Sequence, residues 1–302
     1  MNRRNALQTI AATAALWRAT NTSAAPPRAV LTARKIPASG EMLPVIGLGT
    51  WQTFDVGMSP TERAPLAAVL REFVALGGTL IDSSPMYGRS ESVAGELIAD
   101  VSAREKFFIA TKVWTSGKAA GVTQMQESMA KLRAKPIDLM QVHNLLDVDA
   151  HLATLNDWKR QGATRYVGVT HYTPSAYEAV AKVISTHKVD FLQINYSVGE
   201  REAEQRLLPL ARERGIAVII NRPFAGGELL RRLRGTPLPA WASEISCTSW
   251  AQVLLKFVLA HPAVTCVIPA TSKVEHLRDN MAAGSGLMPD EKMRAKILAS
   301  VG

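Results

Sequence analysis
The chain has 302 residues, 47% of them apolar, enough for one large domain or two smaller ones around a sizeable core. Its formal charge of +9 favours anionic partners, but the basic residues lie among acids, as in Arg212-Glu213-Arg214. The one dense cluster, Arg231-Arg232-Leu233-Arg234, falls in an irregular stretch and reads as a solvated face, and with no nucleic-acid motif present a phosphorylated cofactor is the better anion. The two cysteines, Cys247 and Cys266, have neither metal-ligand spacing nor a CxxC, and no apolar run is long enough for stable membrane insertion of the mature chain, so no metal site is expected.

In chain order, Met1-Asn2-Arg3-Arg4-Asn5 precedes an Ala-rich stretch from Ala6 to Trp17, then small residues at Thr22-Ser23-Ala24-Ala25. A charged start, an apolar segment and a small-residue zone read as a leader over residues 1–25, with residues 26–302 as a single domain. The paired arginines resemble a twin-arginine signal, although Asn5-Ala6 and the early Arg18 depart from it. That resemblance implies an exported, periplasmic protein; as a cytosolic extension, the segment would leave the protein in the cytoplasm. Lys35–Leu43 reads as a hairpin with a Ser-Gly turn. Short apolar runs then alternate with amphipathic ones. The strands are expected at Val45–Leu48, Thr79–Asp82, Phe107–Lys112, Ile137–Val142, Arg165–Val169, Phe191–Asn195, Ile216–Asn221 and Val264–Ile268. The helices between and after them are expected at Pro65–Leu76, Ser92–Asp100, Thr123–Leu132, His151–Gln161, Pro174–Ser185, Gln205–Arg214, Trp250–Ala260 and Val274–Ala283.

Near-continuous apolar strands alternating with helices indicate a parallel sheet covered on its outer face. Eight such units in roughly 250 residues predict an α/β fold, a (β/α)8 TIM barrel with an N-terminal β-hairpin. The alternative, a doubly wound open sheet, lacks its glycine fingerprint, of which Gly47-Leu48-Gly49 is only half. The stretch from Phe224 to Ser249 reads as an insertion between strands seven and eight, with a short helix near Glu228–Leu233.

In such a barrel the C-terminal strand ends face one another across the mouth. Strand two ends at Asp82, with Tyr87 beyond it and Ser90 as the N-cap of the next helix; strand three ends at Lys112, and strand four runs into His143. A salt bridge would explain the acid and the lysine but not the phenol and the imidazole. The set fits carbonyl reduction, in which a hydride at the carbonyl carbon leaves charge on an oxygen that needs a proton donor. Tyr87 would donate. Lys112 would lower its pKa from about 10 toward working pH. Asp82 would hold Lys112 charged and placed, and His143 would orient the carbonyl or share the proton.

Together these segments resemble the aldo-keto reductase superfamily. The resemblance is carried by Gly47-Leu48-Gly49-Thr50-Trp51, the Asp82/Tyr87 stretch, Ala110-Thr111-Lys112, Ile137 to His143, Val167-Gly168-Val169-Thr170-His171, Leu192-Gln193-Ile194-Asn195-Tyr196, and Ile268-Pro269-Ala270-Thr271-Ser272 to Asn280. It implies a nicotinamide-dependent oxidoreductase with Asp82, Tyr87, Lys112 and His143 as its catalytic tetrad. It places Thr50 and Trp51 beside the nicotinamide, with Thr170, His171 and Gln193 at its carboxamide, where the family more often has Ser and Asn for the first two. After strand seven many members carry a stacking aromatic. Here the segment is Asn221-Arg222-Pro223-Phe224, so the ring is missing or Phe224 supplies it from a shifted position, and Arg222 lies near the pyrophosphate or the ring. Basic residues that favour the phosphorylated cofactor align with Ala270 and His276, leaving Thr271, Ser272, Lys273 and Arg278 nearby, with Asn280 completing the site. NADP is favoured over NAD.

Around the expected mouth stand Trp51, Phe54, Met86, Trp114, Asn144 and Phe224, a lining for a small or aromatic carbonyl. Trp51, Trp114 and Asn144 are the candidate substrate contacts; Phe54 and Met86 suit ordinary loop packing. Little chain follows Asn280 beyond a helix from Pro289 to about Ala299, which predicts an open pocket of broad selectivity. The expected assembly is a monomer or small homo-oligomer. Two further readings remain: a redox-sensing or regulatory protein that binds the cofactor with little turnover, and a hydrolase, which would need a metal cluster or paired carboxylates where only Asp82 is placed.

Overall fold
A computed structural model of the chain describes residues 30–101 and 104–301. The expected leader, residues 1–25, lies outside the described residues. The hairpin is present as β1 (Ala33–Lys35) and β2 (Met42–Pro44), paired antiparallel. Its turn passes through Gly40 at φ 78, a conformation that costs glycine little.

Eight parallel strands follow: β3 (Leu48–Gly49), β4 (Leu80–Asp82), β5 (Phe108–Val113), β6 (Ile137–His143), β7 (Thr164–Thr170), β8 (Phe191–Asn195), β9 (Ala217–Asn221) and β10 (Val264–Val267). Each pairs with the next in sequence order, and parallel bridges at Ile46–Val267 and Gly49–Ala270 join the first strand region to the last. The architecture is therefore the (β/α)8 barrel and not the open sheet. The half-fingerprint finds its explanation at this seam. A Cβ on Gly47 would meet the Leu80 side chain at 2.8 Å, and one on Gly49 would meet the Ile268 carbonyl oxygen at 3.0 Å. These glycines let the strands close.

The helices are α1 (Pro60–Ala75), α2 (Ser90–Asp100), α3 (Lys118–Lys131), α4 (Val148–Arg160), α5 (Tyr177–Thr186), α6 (Leu207–Glu213), α7 (Glu228–Arg232), α8 (Trp250–Leu259), α9 (Val274–Ala282) and α10 (Glu291–Val301). The expected insertion lies between β9 and α8 and contains α7. Several helices start before their sequence signals. Helix α1 begins at Pro60, after extended Ser59, so that Pro65 lies inside it. Helix α2 begins at Ser90, with Arg89 rather than Ser90 in the N-cap position; the Ser90 hydroxyl instead contacts the Thr50 carbonyl at 3.5 Å.

Strand alternation sorts the side chains. Ile109, Val113, Met140, Val142, Val167, Leu192, Ile194, Val218 and Ile220 face outward and pack with the helices. Leu80, Phe108, Leu139, Tyr166, Phe191 and Ile219 fill the lumen, joined by Ile36 and Leu43 of the hairpin, which plugs its lower end. Each buried side chain of this size contributes about 1.5–3 kcal/mol. Continuing upward by twos, the same inward positions become Asp82, Lys112, Gln141, His143, Thr170, Gln193 and Asn221, so the apolar lumen ends in a polar layer at the mouth.

Candidate active site
Buried polar groups persist only when bonded to one another, and this layer is so bonded. Lys112 is fully buried. Its Nζ donates to Asp82 Oδ2 at 2.7 Å and to the Ser83 carbonyl at 2.6 Å. Asp82 Oδ1 accepts from Gln193 Nε2 at 2.8 Å and from Gln141 Nε2 at 3.3 Å. The carboxylate is thus held from β5, β6 and β8, which is the condition a buried ion pair requires.

Tyr87 reaches the same point from the turn after β4. Lys112 Nζ lies 5.1 Å from its ring centroid, and the ring meets that of His143 edge-on, with centroids 6.5 Å apart. Trp114 flanks the other side of His143 at 6.4 Å, and His143 Nδ1 lies 3.5 Å from Ser84 Oγ. The four tetrad residues therefore converge.

Their protonation states are set by burial and by one another. Burial would lower Lys112, but the charge of Asp82 and then the Tyr87 phenol more than offset it, and Lys112 sits above its ordinary value. His143 is pushed down to about 3, first by burial, then by Lys112 and His171. It is a neutral imidazole, suited to orient a carbonyl through one N–H, not to share a proton as an acid. The expected lowering of Tyr87 is corrected. Lys112 does pull the phenol down, but burial outweighs it and Asp82 adds to the rise, so the net shift is upward.

On the neighbouring strand ends, Thr50 donates through Oγ1 to the Asp82 carbonyl at 3.0 Å and to Ser83 Oγ at 2.9 Å. Thr170 Oγ1 donates to Gln193 Oε1 at 3.2 Å, and Asn221 Nδ2 reaches that oxygen at 3.5 Å and the His171 carbonyl at 3.3 Å. The backbone amides of Tyr172 and Thr173 point at His171 Nδ1, at 3.0 and 3.3 Å. Amides only donate, so the ring proton of neutral His171 belongs on Nε2, where it is a free donor. Among the described residues Asn221 Oδ1 and Arg222 Nε are buried with no hydrogen-bond partner. Orphaned atoms of this kind call for a ligand, and a donor at His171, an acceptor at Asn221 and a cation at Arg222 fit a nicotinamide cofactor, the first two its amide. Pro223 is buried, and Phe224 is half-buried against the outer core.

In the last half-barrel, buried Thr271 accepts from the Lys273 amide at 3.1 Å, shaping the turn into α9. Ser272, Lys273 and His276 are exposed there, and Asn280 is buried on α9. Arg278 is engaged with Glu72 at 2.9 Å. Trp51 and Trp114 stand exposed at the mouth, as does Met86, whereas Phe54 is fully buried in the core. Asn144 follows His143 at φ 53, and its Oδ1 is buried and unpaired.

Sequence reasoning passed over Gln141, Ser83, Ser84 and Glu91. Gln141 carried a signal, since it is polar, lies two residues before His143 and sits on an otherwise buried strand. Glu91 is buried on α2, accepting from Thr111 Oγ1 at 2.5 Å and from Ser128 Oγ at 3.1 Å. It braces the residue beside Lys112 from outside the barrel, and burial raises its pKa despite those bonds. The two serines act through one carbonyl and one hydroxyl, which residue type does not announce.

Comparison with known proteins bears on the whole barrel. The profile described as "Aldo/keto reductase family" matches residues 45–296. Methylglyoxal reductase YeaE of Escherichia coli is 30% identical over 259 residues, 82% of this chain and 88% of that protein. An aldo/keto reductase from Klebsiella pneumoniae, solved with NADP and acetate, superposes with a TM-score of 0.74 at 24% identity, over 87% of this chain and 93% of that one. The holo form of AKR11C1 from Bacillus halodurans gives 0.72 at 21% identity, over 90% and 96%. At these identities the two structures speak for the fold.

Proposed function
The chain belongs to the aldo/keto reductase family, and from that premise we propose that it reduces an aldehyde or ketone with Tyr87 as the proton donor. The observation that carries this reading is the convergence of Tyr87, His143 and the Lys112–Asp82 pair at one mouth. A bound reduced nicotinamide supplies the hydride that adds to the carbonyl carbon. His143, neutral and with Nδ1 facing Ser84, offers Nε2 to the carbonyl oxygen. Tyr87 gives that oxygen its proton, and the Lys112 ammonium stabilises the phenolate left behind. Asp82 keeps Lys112 charged in a fully buried position. Thr170, His171, Gln193 and Asn221 would hold the carboxamide, with Arg222 next to them at the end of β9, and Thr271, Ser272 and Lys273 would face the phosphates. With the whole tetrad assembled, the regulatory alternative is not favoured.

NADP is the cofactor we assign, since the Klebsiella relative is described in complex with it; Lys273 supplies the charge for its extra phosphate. The Escherichia coli relative's name makes methylglyoxal the first aldehyde to test. The exposed Trp51 and Trp114 support an open, broadly selective pocket. Export by the twin-arginine route rests on Arg3-Arg4 and the segment after them, and N-terminal sequencing of the mature protein from its host tests it. The deciding experiment titrates the purified protein with NADPH and NADH while following aldehyde turnover. Tyr87→Phe should abolish turnover and spare cofactor binding; turnover that survives refutes the assignment.

A further inference from the structure
We infer that Arg222, beside a carboxamide placed by Asn221, makes the cofactor site selective for redox state, binding the reduced nicotinamide in preference to the oxidised one; this rests on the cofactor reading above. At the end of β9 stand two polar side chains, each with one buried atom that lacks a partner, Asn221 Oδ1 and Arg222 Nε. Asn221 is fixed by its other end, through Nδ2 to the His171 carbonyl at 3.3 Å and toward Gln193 Oε1 at 3.5 Å. Gln193 in turn donates to the carboxylate that holds Lys112. The free Oδ1 is therefore a placed acceptor, matched to the N–H of a carboxamide.

Arg222 supplies charge. Its backbone is left-handed at φ 51, and its guanidinium packs over Gly226, itself left-handed at φ 67, with a terminal nitrogen 3.6 Å from where a Cβ there would stand, an ordinary contact distance. Among the described residues Arg222 forms no salt bridge. Lys112, a second cation at this mouth, is neutralised by Asp82. Oxidised nicotinamide carries a positive charge and the reduced ring is neutral. An uncompensated guanidinium beside the ring disfavours only the oxidised form. An aromatic side chain at this place would act in the opposite sense, because its face attracts a cationic ring.

The test measures Kd for NADPH and for NADP+ by fluorescence titration of the full chain, in the wild type, Arg222→Gln and Arg222→Lys. Both forms carry the same phosphates, so a phosphate contact cancels in the ratio of the two constants. The wild type should bind NADPH tighter by about tenfold, on the order of 1.4 kcal/mol. Arg222→Gln should bring the ratio close to one, and Arg222→Lys should keep most of it. Equal weakening of both forms in Arg222→Gln, with the ratio unchanged, makes Arg222 a phosphate contact and overturns the inference, as does a wild-type ratio near one. Failure of the wild type to bind either form overturns the cofactor reading first, and this inference with it.

Discussion
Asp82→Asn tests the site at its centre. The change keeps size and shape but leaves Lys112, fully buried, facing an amide in place of a carboxylate. For unit charges 2.7 Å apart the gross attraction lost is about 6 kcal/mol at an effective dielectric near 20. Breaking a buried pair from one side costs about 3–5 kcal/mol net. The net is smaller because Lys112 can shed its proton: burial lowers its pKa, and Asp82 is the largest influence that restores it. For a domain of this size the loss is worth roughly 5–9 °C in Tm. The pH window has a definite sign. Lys112 is raised in the folded state, so its contribution is complete below its ordinary value of 10.5 and is lost as pH rises through the folded one. The deficit of Asp82→Asn should therefore persist from neutral pH to about 10 and shrink above it. Urea unfolding of Asp82→Asn, Lys112→Met and the double variant completes a cycle. Removing both charges should cost at least ~2 kcal/mol less than the sum of the single losses. Additive losses would refute the ion pair as the organising contact.

His143, held near 3 in the folded protein against an ordinary 6.5, contributes stability above 6.5 that is lost as pH falls toward 3, by up to about 1.4 kcal/mol per pH unit. His143→Asn should remove this one-proton share from urea unfolding measured between pH 4 and 7, leaving the parts of His171 and His261, which burial also depresses. Glu91→Ala strands the Thr111 and Ser128 hydroxyls and should cost about 2–4 kcal/mol, whereas Glu91→Gln should keep most of the stability; equal losses in thermal melts would speak against the bracing role. Gly47→Ala pushes a methyl into Leu80 at the barrel seam and should cost about 1–3 kcal/mol in the same assay, with no change in m-value.

The barrel was legible because its strands are nearly pure apolar runs, and the C-terminal ends of those runs placed Lys112 and His143 at the mouth. Helix starts were the weak point. At α1 and α3 the first turns carry Pro, Ala and Gly in place of an apolar stripe, so the pattern appears only where the helix meets the sheet. The tetrad was readable as four reactive residue types at three neighbouring strand ends. Gln141 carried the signal of a polar residue on an apolar strand, but an amide is not a reactive type and so did not stand out beside the tetrad. The Glu91 brace was hidden by distance, because Thr111 and Ser128 come to it from separate elements. The rise in Tyr87 was beyond sequence altogether, since it is a contest between burial and charge that depends on depth in the fold.

That contest changes the role of Lys112. A lysine that lowered the phenol toward neutrality would act before the reaction, by loosening the proton. Here the phenol lies above its ordinary value, so Tyr87 stays fully protonated across neutral pH and the donor is always loaded. Part of the ammonium's field is spent on Asp82, 2.7 Å away, while the Tyr87 phenol is a second partner, its ring centroid 5.1 Å from the same nitrogen. The attraction grows only when the phenol gives up its proton and a second anion appears beside the buried cation. In the proposed reaction Lys112 would therefore act on the state formed during proton transfer more than on the resting one, which is where an interaction must strengthen to raise kcat. Burial first, and then the repulsion of a second cation by Lys112, keep His143 neutral. In the proposed reaction its neutral N–H would hold the carbonyl oxygen without competing with Tyr87 to protonate it.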